Sequence, residues 1–338
     1  MKDLRNYPLL RHNTFGIDAR CTRFVETDTV EETLQACRSL NGDGQPTMIV
    51  GGGSNLLLTK DFEGNVIHPA ISGIETVGES QGHILVRVGC GVVWDDFVAT
   101  AVEEGWHGAE NLSLIPGEAG ASAVQNIGAY GAEVKDIIKE VEAVEMATGR
   151  LTVIDASECR YGYRQSRFKQ DWRGRFIITH VTYRLAKTFT PQLDYGNIRS
   201  RLASQGIDTP TPRQLREAIV SIRREKLPDP AVEGNAGSFF MNPVVSRDTF
   251  CRIAAHYPSV PHYDMGDGNV KIPAGWMIEQ CGWKGRSLGR AGVHSKQALV
   301  LVNRGGATGS EIVTLCDTIR RDVKEKFGID IHPEVNII

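Results

Sequence analysis

Two stretches poor in side chains are the places in this sequence where main chain can meet a ligand. Residues 115–131, IPGEAGASAVQNIGAYG, are built largely from Gly and Ala, with Ser122, Gln125, Asn126 and Tyr130 among their polar groups. The run has neither helical nor strand periodicity, and residues this small are not expected to build a core. Repeated glycine lets the backbone approach a flat or charged ligand closely. An ordinary surface loop is the plain alternative, but Ile115, Val124 and Ile127 are apolar, and seventeen residues is long for an idle connection. The stretch reads as a cofactor cradle. The second stretch, Gly51-Gly52-Gly53-Ser54-Asn55, follows a short apolar run and can present N–H groups to a phosphate. It reads equally as a plain tight turn. It is neither a G-x-G-x-x-G that opens a helix nor a Walker A loop.

Side chains with chemical potential lie further along. In Asn235-Ala236-Gly237-Ser238-Phe239-Phe240 a hydroxyl can stand against a ligand, although the pattern by itself favours a turn feeding a buried strand. Arg223, Arg224 and Lys226 crowd the last turn of an expected helix; the helix dipole accounts for their sign but not for their number. The seven cysteines are scattered without a C-x-x-C pair, and the nine histidines form no ligand pattern. Neither a zinc site nor a disulfide framework is suggested.

A net charge of −3 leaves no electrostatic footprint for nucleic acid. The first residues lack the apolar core of a signal peptide, and no segment has membrane-spanning length. The expectation is a reduced, cytoplasmic protein without membrane insertion. With 338 residues, 41% hydrophobic and 23% charged, two or three globular domains are expected.

The elements that must carry these residues can be placed in order. Strands are expected over 20–28, 46–50 and 56–58, with a helix over 29–40 between the first two. A strand over 83–88 precedes a helix with Trp94, Phe97, Val98, Ala101 and Val102 on one face, stopping near Gly105. A hairpin over 138–146 and 150–154 turns at Thr148-Gly149, and a β-rich run follows over 175–185. Residues 187–208 read as loop. Thr211-Pro212-Arg213-Gln214 is a helix start with a capping box, and Pro228 marks its stop. Helices are expected from Ser246, over 274–281 and over 310–327, with strands over 297–303 and 329–337. Together these predict an α+β fold.

Taken in order, Asn13-Thr14-Phe15-Gly16, the glycine turn, Ile115-Pro116-Gly117 with Gln125-Asn126-Ile127-Gly128-Ala129-Tyr130-Gly131, and Tyr163-Arg164-Gln165-Ser166 form a set. Lys226-Leu227-Pro228-Asp229-Pro230, Gly237-Ser238-Phe239-Phe240 and Pro333-Glu334-Val335 complete it. The set resembles the UDP-N-acetylenolpyruvoylglucosamine reductases of bacterial peptidoglycan synthesis over nearly the whole chain. The segment around Leu193, Tyr195 and Gly196 resembles the longer, type I form.

The resemblance implies a two-lobed FAD-binding unit of the vanillyl-alcohol-oxidase (PCMH) type, followed by an α+β substrate-binding domain. Lobes over 1–70 and 71–226 (the PCMH-type region about 16–187) precede a substrate domain over 227–338, whose last residues pack back toward the FAD lobes. It implies FAD held by Gly51, Gly52, Gly53, Ser54, Asn55, Pro116, Gly117, Ser122, Asn126, Ile127, Gly128 and Arg223. Gly53-Ser54 stand where related covalent flavoenzymes often carry His, so the implied FAD is non-covalent. NADPH is the implied co-substrate and an enolpyruvyl UDP-sugar the substrate, held by Tyr163, Tyr195, Lys226, Asn242 and Gln297. Arg164 and Glu334 are implied to stabilise an enolate, and Ser238 to protonate C2. Two residues depart from the family pattern: Ala121 stands where Ser is frequent, and Met241 where Lys is usual. Other readings are a PCMH-type oxidase acting on a hydroxy acid or sugar, and a nucleotide-sugar-binding protein without turnover.

Overall fold

The computed structural model describes residues 1–338, and they form two compact units that interleave along the chain. The first comprises Met1–Tyr7, Cys21–Gly52 and Phe62–Glu225; the second comprises Pro8–Arg20, Gly53–Asp61 and Lys226–Ile338.

The first unit holds two sheets. One orders its strands Lys2–Pro8, Arg20–Thr27, Phe62–Pro69 and Thr47–Ile49, and the last three run parallel. Helix α1 (Val30–Leu40) joins two of these strands. Thr29 accepts from Glu32 N at its start, the geometry of an N-cap. Its buried face, Ala36, Cys37 and Leu40, packs with Val25 and Ile67 of the parallel sheet and with Val144 and Ile177 of the second sheet. That second sheet is antiparallel, ordered Arg150–Asp155, Ile138–Glu145, Phe176–Ala186, His83–Gly89 and Ile74–Ser80.

Helix α2 (Trp94–Glu103) lays Trp94, Phe97, Val98 and Ala101 onto the antiparallel sheet. Phe97 stacks on Tyr183 at 4.7 Å between ring centroids, and the Trp94 indole N–H donates to Leu112 O at 2.8 Å. The expectation that residues 115–131 lack regular structure and stay out of the core is corrected here. They contain helix α3 (Ala119–Gln125), with Ala119, Gly120, Ser122 and Ala123 buried. Small size is the reason: a Cβ at Gly120 would sit 2.7 Å from the Cys90 Cβ, so only glycine lets the helix lie flush. Ala119 N and Gly120 N donate to Val92 O and Cys90 O.

The expected loop over 187–208 also contains a helix, α4 (Ile198–Ser204). Its Ile198 and Leu202 pack with Leu193 against the buried stripe Leu215, Ala218, Ile219 and Ile222 of α5 (Pro212–Lys226). The capping box at Thr211 and Gln214 forms in both directions.

The second unit carries a sheet ordered Gly234–Asn235, Leu301–Asn303, Ala291–Val293 and Ser287–Leu288. A three-stranded sheet orders Val244–Ser246, Asn269–Lys271 and Tyr263–Asp264. Three helices accompany them: α6 (Arg247–His256), capped by Ser246, α7 (Ala274–Gln280) and α8 (Gly309–Phe327). A capping box of Thr308 and Glu311 opens α8, and Gly328 in the left-handed region closes it. Two expected strands are much shorter than their apolar patterns. Gln297 lies in a turn, its carbonyl accepting from Val300 N, so the strand over 297–303 is confined to Leu301–Asn303. The strand over 329–337 is confined to Asn336–Ile337, with an isolated antiparallel bridge between Pro333 and Phe240 ahead of it.

Segments distant in sequence are sewn into this unit. Asn336–Ile337 runs parallel to Leu56–Leu57, Thr14 Oγ1 donates to Asn235 O at 2.6 Å, and Asn303 Nδ2 donates to Phe15 O at 2.9 Å. In the first unit, Phe97→Ala is expected to cost about 3–5 kcal/mol, from lost burial plus the cavity left under Tyr183. Urea unfolding of the purified protein measures it.

Candidate active site

The residues expected to do chemistry divide between the units, and each unit assembles its own group.

In the first unit the glycine turn ends at Gly51 and Gly52, facing the residues just ahead of α3. A Cβ at Gly51 would lie 2.9 Å from Glu118 Oε2 and 3.7 Å from the Ala121 Cβ; one at Gly52 would lie 3.7 Å from the Gly117 Cα. Gly51, Gly52, Gly117 and Ala121 thus form a wall with almost no side chain. Gly117 has φ +116°, a backbone that other residues rarely adopt, and its carbonyl accepts from Trp94 N. Such a wall fits a diphosphate, which needs main-chain approach rather than bulk. Pro116 lies exposed just before it. Ser122, in contrast, turns inward: its hydroxyl donates to Ala119 O at 2.6 Å and shares a 2.8 Å hydrogen bond with Tyr183. Ala121, not Ser122, faces the glycine turn, and the Ser122 hydroxyl implied to hold FAD is spent on Ala119 O and Tyr183.

Glu118 lies under this wall and was overlooked among the polar groups of residues 115–131. Its carboxylate meets His68 Nε2 at 3.1 Å, and His68 Nδ1 meets Glu26 Oε2 at 3.1 Å. Glu26 and His68 are direct partners on adjacent parallel strands. Burial by itself depresses the His68 pKa, but hydrogen bonding and charge from Glu118, then from Glu26, outweigh it and the net direction is up. A carboxylate within the loop's own Gly/Ala run was the available sequence signal. His68 on a strand had none.

The far end of α3 is fixed by Asn126, buried and left-handed at φ 44°. Its amide donates to Gly162 O at 2.7 Å and Glu133 Oε2 at 3.0 Å, and its oxygen accepts from Lys135 N. The side chain of Asn126 therefore braces the loop. Ile127, half-buried, packs against the core of the antiparallel sheet. A hairpin follows, Gly128–Ala129 with Ala132–Glu133, turning through Tyr130 and Gly131 at φ 48° and 84°.

Arg164, itself at φ 55°, reaches this hairpin and donates from Nη2 to Gly128 O at 2.8 Å. A Cβ at Gly128 would stand 3.0 Å from Arg164 Nη1, so glycine here makes room for the guanidinium. Tyr163 is exposed, with the Arg164 guanidinium 5.5 Å from its ring centroid. Tyr195, also exposed, lies over Gly131: a Cβ on that glycine would be 3.4 Å from the Tyr195 Cβ.

Arg223 is no solvated helix end. Its Nε donates to Leu114 O at 3.2 Å, and burial pulls its pKa down despite Tyr130 and Asp95. Asp95 also accepts Leu114 N and a bidentate pair from Arg216. The crowded cations thus separate: Arg223 folds inward, while Arg224 and Lys226 are exposed.

The second unit gathers a different set. Gly53, at φ +64°, lies so close to the His12 carbonyl that a Cβ would be 2.0 Å from it. Ser54 follows, half-buried. Asn55 O accepts from both Asn336 N and Asn336 Nδ2, and Asn55 Nδ2 points to Glu334 O at 3.5 Å. Glu334 N donates to Phe239 O at 2.8 Å, Met241 N donates to His332 O at 2.9 Å, and Phe240 pairs with Pro333. This antiparallel contact sets Phe239 opposite Glu334, with Ser238 one residue before it. Phe239 and Phe240 are buried while Ser238 is exposed and Glu334 half-buried.

Asn242 and Gln297 converge on the start of α7. Asn242 Oδ1 accepts from Ala274 N at 2.9 Å, and a Cβ at Gly275 would lie 3.2 Å from Gln297 Oε1.

Residues 22–155 match the family described as FAD binding domain, and residues 229–338 match the UDP-N-acetylenolpyruvoylglucosamine reductase C-terminal domain. The chain is 55% identical over 338 residues to a UDP-N-acetylenolpyruvoylglucosamine reductase from Bacteroides fragilis, covering 99% of each protein. It is 47% identical to the protein of that name from Porphyromonas gingivalis, again over 99% of each. Among solved structures, the reductase of that family from Thermus caldophilus superposes with a TM-score of 0.68 at 22% identity. That match covers 99% of this chain and 98% of the other, and it establishes the shared fold. No helix is long and apolar enough to cross a membrane. The chain belongs to the UDP-N-acetylenolpyruvoylglucosamine reductase family, FAD-dependent oxidoreductases in which an FAD-binding domain precedes a C-terminal domain of the family's own type.

Proposed function

We propose that this chain reduces UDP-N-acetyl-3-O-(1-carboxyvinyl)-glucosamine to UDP-N-acetylmuramate with NADPH, using non-covalent FAD, in cytoplasmic synthesis of peptidoglycan precursors. The observation that supports it best is the hydrogen bond from Glu334 N to Phe239 O, which brings the segment that carries Ser238 onto the one that carries Glu334, next to Asn55. In the functional division proposed here, residues 1–70 and 71–226 are FAD lobes and 227–338 bind substrate. The exposed Tyr195 beside the buried Leu193 suits the longer, type I form of the family.

Bound FAD supplies a hydride carrier between NADPH and C3 of the enolpyruvyl ether. Hydride addition at C3 leaves negative charge on C2 and the adjoining carboxylate. Arg164, held against Gly128, is assigned to that carboxylate, where its planar fork pairs bidentately and gains strength as charge develops. Glu334 orients the same group, and Ser238 delivers a proton to C2. A serine hydroxyl is a poor acid in water, and it becomes a competent donor beside a carbanion-like centre from which water is excluded. Lys226, Tyr163, Tyr195, Asn242 and Gln297 are assigned to the rest of the substrate, Lys226 chiefly to its diphosphate. The residues around Gly51–Gly52 and Gly117 are assigned to the FAD diphosphate, with Gly53, Ser54, Asn55, Asn126, Ile127, Gly128 and Arg223 completing the flavin set.

The test is anaerobic and in two steps. NADPH should bleach the yellow protein, and UDP-N-acetylenolpyruvoylglucosamine should restore the colour. Bleaching by a hydroxy acid or sugar alcohol instead, or a colourless protein, would overturn the reading. Ser238→Ala is expected to bleach normally with NADPH and to slow recovery of colour by about 10²–10⁴-fold; equal loss in both steps removes Ser238 from the proton transfer. Gly128→Ala, whose Cβ would lie 2.9 Å from the Ala132 carbonyl oxygen and 3.0 Å from Arg164 Nη1, is expected to slow the second step, measured per FAD bound, by about tenfold to a hundredfold. Gly52→Val should weaken FAD binding by about tenfold or more, as titration of flavin fluorescence will read. Gly52 has no positive φ and is exposed, so the substitution leaves the fold intact.

A further inference from the structure

The chain Glu26–His68–Glu118, with His68 buried and both carboxylates half-buried, lies under the glycine turn, and the chemistry assigned above gives it no task. Its placement is specific. Glu118 is the charged side chain nearest the Gly51–Gly52 backbone, where a Cβ would come within 2.9 Å and 3.6 Å of its carboxylate oxygens. A carboxylate there has the wrong sign for a wall that receives a diphosphate. His68 closes on the other side of that carboxylate, at 3.1 Å and 3.3 Å from its two oxygens, and is itself 9% exposed.

We propose that His68 is a positioning residue for FAD: as an imidazolium between Glu26 and Glu118 it neutralises the carboxylate under the turn, and its deprotonation loosens the cofactor. The inference rests on the assignment of the FAD diphosphate to the Gly51–Gly52 turn. With His68 charged, two carboxylates and one imidazolium leave the cluster at net minus one; with His68 neutral it stands at minus two. The added negative charge faces an anionic ligand across low-dielectric surroundings, where such interactions are stronger than in water.

The groups that face His68 come from each element around it. Glu26 approaches from the neighbouring parallel strand, and carries Lys2 of the first strand as a second partner. Glu118 approaches from the residue before α3. The Cys90 thiol, near Glu118, donates to Pro69 O and is pushed by burial up to about 12, so it stays neutral. Because the net displacement of the His68 pKa is upward, the charged form persists above the ordinary histidine range and is lost as pH rises through the displaced value.

The experiment measures FAD release from the holoenzyme on dilution, by the fluorescence of freed flavin, at about pH 6 and about pH 8.5, a span that brackets an upward-displaced histidine. Wild type is expected to hold FAD about tenfold less tightly at the higher pH, the size of one added charge at a few ångströms through a partly screened path. His68→Gln, fixed at minus two, should bind weakly at both pH values. Glu118→Gln should bind at least as tightly as wild type at the lower pH, and remain ahead of it at the higher. The double variant His68→Gln/Glu118→Gln, fixed at minus one, should match wild type at the lower pH and show no pH dependence.

A purely structural role for the cluster predicts the opposite: Glu118→Gln weaker than wild type at both pH values, with no rescue in the double variant. That result overturns the proposal, as does a wild type that holds FAD equally at both. If His68→Gln does not fold, Glu118→Gln and the wild-type profile still decide. Should Gly52→Val leave FAD affinity unchanged, the assignment of the turn falls; should it weaken FAD while the charge series shows no order, only the role of His68 falls.

Discussion

Everything the first unit offers a ligand depends on how closely α3 can lie against the strands behind it. Gly120 makes that approach possible by removing the atom that would collide with Cys90, and the donated hydrogen bonds of Ala119 and Gly120 lock the helix at that depth. The Ser122–Tyr183 contact completes the seat. With a helix of ordinary side chains, both ends of α3 would be displaced outward, and both ends matter. Glu118 lies before its first turn and Asn126 terminates its last. Through Asn126 the hairpin that receives Arg164 inherits its position. One missing methylene group therefore fixes both the glycine wall and the arginine's landing place.

The second unit meets the same need by different means. No single close contact dominates; short backbone pairs between remote segments add up to a frame. Phe239 and Phe240 anchor this segment in the core, while Ser238 just before them stays exposed. Glu334 sits opposite, its backbone tied to Phe239 and its neighbourhood tied to Asn55 through Asn336. Main-chain hydrogen bonding between Glu334 and Phe239 holds together the segments that carry Ser238 and Glu334.

Much of this was readable from the residue order, and what was not has physical causes. Helices with clear caps, such as those opened by Thr211 and Thr308, could be placed because local hydrogen bonds define them. α3 and α4 escaped notice: one has too little side chain to show a period, and the other is held by two apolar residues in a polar stretch. The expected strand over 329–337 follows its apolar pattern faithfully, but pattern reports burial, and only Asn336–Ile337 pairs as a strand. The glycine turn could be singled out from its composition alone, whereas Glu118 and His68 were missed because their pairing exists only once two strands and a loop converge. Ser122 shows the reverse error, a polar residue in a binding stretch whose hydroxyl serves the core.

The parallel pairing of Asn336–Ile337 with Leu56–Leu57 also bears on how the molecule comes into being. Thr59 Oγ1 and the carbonyl of Ile338 are hydrogen-bonded at 2.7 Å across a separation of 279 residues. Contacts of this span are formed late, because the entropy of closing so long a loop must be met before they contribute. During synthesis, residues 53–61 wait, with apolar Leu56, Leu57 and Leu58 uncovered, for partners made some 279 residues later. The second unit is therefore a late-assembling body whose pieces are made far apart in time. Its assembly interval, rather than that of the contiguous sheets, is where this chain is most open to chaperones and to aggregation.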